Sequence, residues 1–132
     1  MVRVLIYLAA SLTLLSCSEQ PVERELADTA DTADTAEVQA FMNDASALSR
    51  GQAIFEGSCA SFCHTMEMET ELDASFLFDC QWNHGSKDQD IFNTVTNGVT
   101  GTRMVGFGSN FPEGDDDLWK VIAYLRSNQQ AC

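Results

Sequence analysis

The sequence predicts an all-α domain with long loops, and three observations carry that fold class. Apolar residues recur at helical spacing behind helix-opening patterns in three stretches, 49–57, 86–98 and 115–125. Between these stretches the chain is rich in Gly, Asn and Thr and shows no strand alternation. At 132 residues, 45% of them apolar, the chain holds one domain of ordinary size. Seven Lys plus Arg stand against 20 Asp plus Glu, a net charge of -13. That balance excludes a nucleic-acid module, because phosphate contacts need Lys and Arg.

Taken in order, the chain opens with Arg3 and an apolar run from Val4 to Leu15, the n- and h-regions of an export signal. Twelve residues are too few to span a bilayer, which takes about 20. Leu14-Leu15-Ser16-Cys17 resembles the lipobox of bacterial lipoproteins, which implies lipidation of Cys17; the alternative is an ordinary secretory signal. Either way residues 1–17 are a signal, and the rest of the chain is expected outside the cytoplasm, on the periplasmic side of a bacterial membrane. Residues 18–48 repeat Ala-Asp-Thr three times and hold eight acids and one base, Arg24. Such a segment cannot bury enough surface to offset its ordering entropy and reads as a disordered acidic tether, with a helical turn or two over 38–48.

The remaining 84 residues, 49–132, hold seven of the eight Phe and both Trp. A domain this small commonly needs a metal, disulfide or cofactor. Ser49-Arg50-Gly51-Gln52 has the form of a capping box opening a first helix toward Gly57. Ser86-Lys87-Asp88-Gln89 repeats it before Ile91, Phe92 and Val95, and Gly98 supplies the stop. Asp115-Asp116-Asp117 favours a third helix start, followed by Leu118, Val121, Ile122 and Leu125 on one face. The glycine-rich run 98–114 surrounds Met104 and is expected to be poorly held by its own contacts, so that a ligand on its inner side would fix it.

Cys59-Ala60-Ser61-Phe62-Cys63-His64 is the most informative stretch. A cysteine pair followed directly by His is the haem c attachment signature, normally with two residues between the cysteines where three stand here. Two thiols reach the vinyl groups on one porphyrin edge while the adjacent imidazole turns under the ring to the iron.

With Gly51 and Phe55 ahead of it, the run 94–104 behind it and Leu118 to Leu125 last, this stretch resembles the class I cytochrome c family over almost all of 49–128. The resemblance implies a small cytochrome c fold, three to four helices and long loops wrapped around one covalent haem c. It further implies thioethers from Cys59 and Cys63, His64 as proximal iron ligand and Met104 as distal ligand. Met42 lies by the tether, and Met66 and Met68 are too close to His64 to reach the opposite face. His84 is the rival distal ligand; otherwise it is a loop histidine. Trp82 could donate its indole N–H to a haem propionate or be a core aromatic. Gly51, Phe55, Trp119 and Tyr124 read as packing residues of a close helix crossing. Cys80 and Cys132 remain as disulfide partners, enclosing 53 residues and contributing about 4 kcal/mol in the entropic model; the alternative is a free Cys132.

The function implied is a membrane-tethered, non-enzymatic carrier of single electrons between redox proteins. The domain's charge of -7, from 12 acids and 5 bases, would steer a dehydrogenase or oxidase with a basic docking patch toward it. Two other readings compete. One is a haem-based redox or gas sensor with a displaceable Met104. The other is a haem-free zinc module using Cys59, Cys63, His64 and either Cys80 or His84.

Overall fold

A computed structural model describes residues 36–67, 74–79, 81–108 and 110–131. Four helices follow one another: α1 over 36–42, α2 at Ala45–Ile54, α3 at Asp88–Asn97 and α4 at Asp115–Asn128. Among the described residues there is no strand, only an isolated antiparallel bridge between Gly98 and Val105. None of the described helices is long and apolar enough to cross a membrane.

α4 is the axis of the domain. It buries the expected Leu118, Val121, Ile122 and Leu125, together with Trp119 and Tyr124, read as packing residues, and Ala123. One side joins Val38, Ile91 and Phe111; the other joins Phe55 and Phe78. Fully burying each large apolar side chain is worth about 1.5–3 kcal/mol, so a helix apolar on both sides is the main source of stability. Aromatic edges and faces close both clusters, with Phe92 stacked on Trp119 at 4.4 Å and Phe55 edge-on to Phe78 at 5.4 Å.

α2 crosses α4 at Gly51. A Cβ at that position would lie 2.1 Å from the Lys120 carbonyl oxygen, so only a hydrogen lets the two backbones approach this closely. The same crossing is fastened by Arg50, which donates from Nε and Nη2 to Asp117 at 3.0 and 2.9 Å. Asp117 has no exposed side-chain surface and also accepts the Glu113 backbone N–H. The guanidinium holds its carboxyl below the usual carboxylate range despite burial. Its place in the acidic run at a helix start hid this second role.

Two helix starts differ from the sequence expectation. α2 opens at Asp44 and not at Ser49: the Asp44 carboxylate accepts the Ser46 and Ala47 N–H groups at 2.8 and 3.3 Å. A carboxylate cap five residues further back captures the same helix earlier. α3 opens after Lys87, whose backbone N–H donates to Asp90 at 3.1 Å, so Asp90 reaches back where Gln89 was expected. Gly98 ends α3 as expected, at φ 71°.

Residues 36–48, expected in the acidic tether, are helical except at 43 and 44. Val38 is fully buried and Phe41, Met42 and Leu48 pack against the core. These four large apolar residues dock a segment whose other residues are Ala or polar.

Candidate functional site

α2 does not end at Gly57. It continues as a π-type turn over Phe55–Ala60, in which Phe55 stays buried and the chain widens by one residue per turn. The Cys59 carbonyl accepts both the Cys63 N–H at 3.2 Å and the His64 N–H at 3.0 Å. In the usual attachment spacing the first cysteine and the histidine are four apart, the α-helical interval. Here they are five apart, the π interval, and the Cys59–His64 hydrogen bond closes it. The extra residue among Ala60, Ser61 and Phe62 is thereby absorbed within one turn.

His64 leaves this turn with its ring held from outside. Its Nδ1 lies 2.8 Å from the Ser75 carbonyl oxygen, which can only accept, so Nδ1 carries the proton and Nε2 keeps a free lone pair. That arrangement orients an imidazole for metal ligation. Ser75 is itself steadied by Asn83, whose Nδ2 donates to the Ser75 hydroxyl at 2.9 Å.

Cys59, Cys63 and His64 face one cavity of about 1120 Å³, measured to its open mouth. Its other walls come from residues 74–77 and 81–85, from Thr94 and Val95 of α3, from Met104 with its neighbours, and from Val121 and Leu125 of α4. Both cysteines are free thiols and half-buried. Burial, with the neighbouring Cys63, pushes the Cys59 thiol up to about 11. It therefore stays protonated at neutral pH.

The Met104 loop is more firmly built than its glycines suggested. The Val99 N–H donates to the Met104 carbonyl at 2.9 Å and the Met104 N–H to the Thr102 hydroxyl at 3.0 Å. The Phe107 and Gly108 N–H groups reach back to Val95 and Thr96. Gly106 packs so closely on α3 that a Cβ would lie 2.7 Å from the Thr96 carbonyl oxygen. The glycines serve close backbone approach here, which the sequence pattern did not separate from looseness.

Trp82 and His84 line the same cavity. The Trp82 Nε1 is buried without a hydrogen-bond partner, an arrangement that native proteins rarely leave unfilled. The Arg126 guanidinium stacks over its ring at 5.2 Å while bonding to Asp88 at 2.7 Å. Neither the Ser75 carbonyl nor this stacked arginine was anticipated from sequence, since a backbone carbonyl leaves no residue signal. Cys17, Cys80, Cys132 and Met68 lie outside the described residues.

The residues present suit a covalently held haem: two thiols on one turn, an imidazole with a free Nε2, a thioether on the facing loop and an orphan indole donor. Among the described residues no three His, Cys, Asp or Glu side chains are grouped for a metal ion; Cys80, one of the ligands of the zinc reading, lies outside them. Comparison with curated proteins and with solved structures returns no match. A family profile does match, over residues 46–125, from α2 through the attachment turn and the Met104 loop into α4. The chain therefore belongs to the family described as cytochrome C oxidase, cbb3-type, subunit III, a c-type cytochrome domain that carries covalent haem c and transfers electrons.

Proposed function

We propose that the protein is an extracytoplasmic electron carrier in which Cys59 and Cys63 would hold the haem by thioethers while His64 and Met104 would ligate its iron. The observation that carries this reading is one cavity bringing His64 and Met104 together, with the His64 Nε2 left free by the Nδ1 bond to Ser75. When bound, the haem supplies a one-electron couple whose potential the axial ligands and hydrogen bonding tune. The chain's own part is to hold and shield. Ser75 keeps the proximal imidazole in one tautomer, and the Val99–Met104 hydrogen bond fixes the loop that carries the thioether. Ile91, Val95, Val121 and Leu125 keep water from the apolar walls.

The same proposal extends to the chain's surroundings. Cys17 would carry a lipid anchor and the acidic surface would meet basic redox partners. Cys80 and Cys132 would be bridged. In support of the bridge, the Gln130 N–H donates to the Phe78 carbonyl at 2.7 Å and the Gln129 side chain to the Asp79 carbonyl at 3.0 Å. The chain two residues before Cys132 is thus fastened to the chain two residues before Cys80. A sensor with a displaceable Met104 draws less support, because the loop that carries the thioether is held in place by hydrogen bonds at the Met104 backbone.

The test is an absorption spectrum of the full chain, made in a periplasm with haem-maturation machinery and recorded oxidised and reduced. The expected result is covalent haem c with a Met–Fe(III) charge-transfer band that disappears in Met104→Ala. Covalent haem without that band, or binding of carbon monoxide to the reduced wild type, would move the assignment to His84 or to an open site.

A further inference from the structure

Among the described residues, two buried side-chain polar atoms have no hydrogen-bond partner, Trp82 Nε1 and Thr96 Oγ1. Of these two residues only Trp82 lines the cavity. An indole N–H can only donate, and a buried donor left unpaired bears the full cost of its desolvation. Beside a binding cavity, such a donor is matched by an acceptor that the bound group brings. The acceptors at the edge of a haem are its two propionate carboxylates.

The face of this indole is already occupied. The Arg126 guanidinium carbon lies 5.2 Å from the centre of the Trp82 ring. Arg126 is not itself among the residues that line the cavity. Three hydrogen bonds hold its plane: Nε donates to Asp88 at 2.7 Å, Nη1 to the Gln129 side chain at 2.9 Å and Nη2 to the Ser86 carbonyl. Gln129 in turn donates to the Asp79 carbonyl at 3.0 Å. The chain before and after Trp82 is thus tied to the end of α4, with Asp88 contributed by the start of α3. A flat guanidinium can stack and bond three partners at once, which a lysine ammonium cannot. The Asp88 carboxylate cancels most of the Arg126 charge at a distance, so what Arg126 does to the cavity passes through the ring it covers.

We infer that Arg126 is a positioning residue for the bound haem, acting through Trp82. It fixes the plane of the indole and polarises the N–H that donates to a propionate. A carboxylate bonded in this way places less negative charge on the iron, which favours the reduced state. This inference rests on the electron-carrier reading.

The test is a redox titration of the full haem-loaded chain, arranged as a mutant cycle. Arg126→Gln together with Asp88→Asn removes the clamp at unchanged net charge, and Arg126→Lys removes only the planar stack. The expected result for the paired variant is a shift of the reduction equilibrium toward Fe(III) of about fivefold, part of the worth of a hydrogen bond to a charged group. At 59 mV per tenfold for one electron, that is about 40 mV. Arg126→Lys should shift it the same way by about threefold. Trp82→Phe keeps a ring under the guanidinium and removes the N–H, so in that background both shifts should fall below about 1.5-fold. Equal shifts in the two backgrounds would overturn the inference, since Arg126 would then reach the iron without the indole N–H. No shift in the wild-type background would overturn it as well. If the paired variant takes up no haem, Arg126→Lys decides by the same comparison. A wild-type chain that takes up no haem would overturn the electron-carrier reading, a failure visible before any titration.

Discussion

At the scale of single residues, the attachment signature was legible because covalent chemistry fixes residue type and spacing together. Cys59, Cys63, His64 and Met104 were read from the chain, and the fold brings all four to one cavity. The group that orients His64 was not legible, being the backbone carbonyl of Ser75. Trp82 was read as either a propionate donor or a core aromatic; its buried, partnerless Nε1 favours the former. Trp82→Phe should lower the stability of the haem-loaded chain by about 1.5–3 kcal/mol, the worth of a hydrogen bond to a charged group, and move its midpoint potential. Unchanged melting and an unchanged potential would mean that the indole meets no anion. Asp117 tests a structural residue. Because its folded pKa is depressed, the stability it adds is present above the ordinary carboxylate range and is lost as pH falls through the folded value. Asp117→Asn should cost about 2–4 kcal/mol at pH 7, less than a wholly buried pair because the Arg50 side chain is 39% exposed. That gap should narrow in urea titrations below about pH 4.

At the scale of elements, helical periodicity placed α3 and α4 closely and α2 in part. Helix starts moved because Asp44 and Asp90 outcompeted the serines and glutamines that a capping-box pattern favours. The π-type turn was legible only as a count, five residues from Cys59 to His64 where four are usual. If that turn absorbs the extra residue, deleting Ser61 leaves covalent haem attachment intact, read as the mass gain of the whole protein. Deleting Ser61 and Phe62 together should abolish it. Loss of attachment in the single deletion would show that the wider turn is required and not merely tolerated. The α2–α4 crossing gives a sharper expectation. Gly51→Ala must push a methyl into the Lys120 carbonyl, and overpacking of this kind costs about 3 kcal/mol. Thermal melting should register it as a clear drop, whereas Gly57→Ala, whose Cβ would meet nothing within 4 Å, should not.

For the whole molecule, the all-α class followed from the pattern of apolar residues. Upstream of Ser49 a helical turn or two was expected over 38–48; that these helices also dock on the core was not legible, since docking depends on where a few apolar residues point and not on average composition. The proposed bridge is testable at this level: intact full-length protein, alkylated without reduction, should retain Cys80 and Cys132 unmodified and lose that protection after reduction. Alkylation of both without reduction would show two free thiols. The internal ion pairs have a consequence for where the molecule can rest. Arg50, Lys120 and Arg126 are turned to neighbouring carboxylates, so the field projected outward is mainly that of the remaining acids. Bacterial and other biological bilayers commonly carry anionic headgroups, and like charges repel within about a Debye length, ~8 Å in physiological salt. A chain held to such a bilayer only by its N-terminal end would have its folded part pushed off the lipid surface. It would then be presented to the aqueous side and not laid flat against the headgroups.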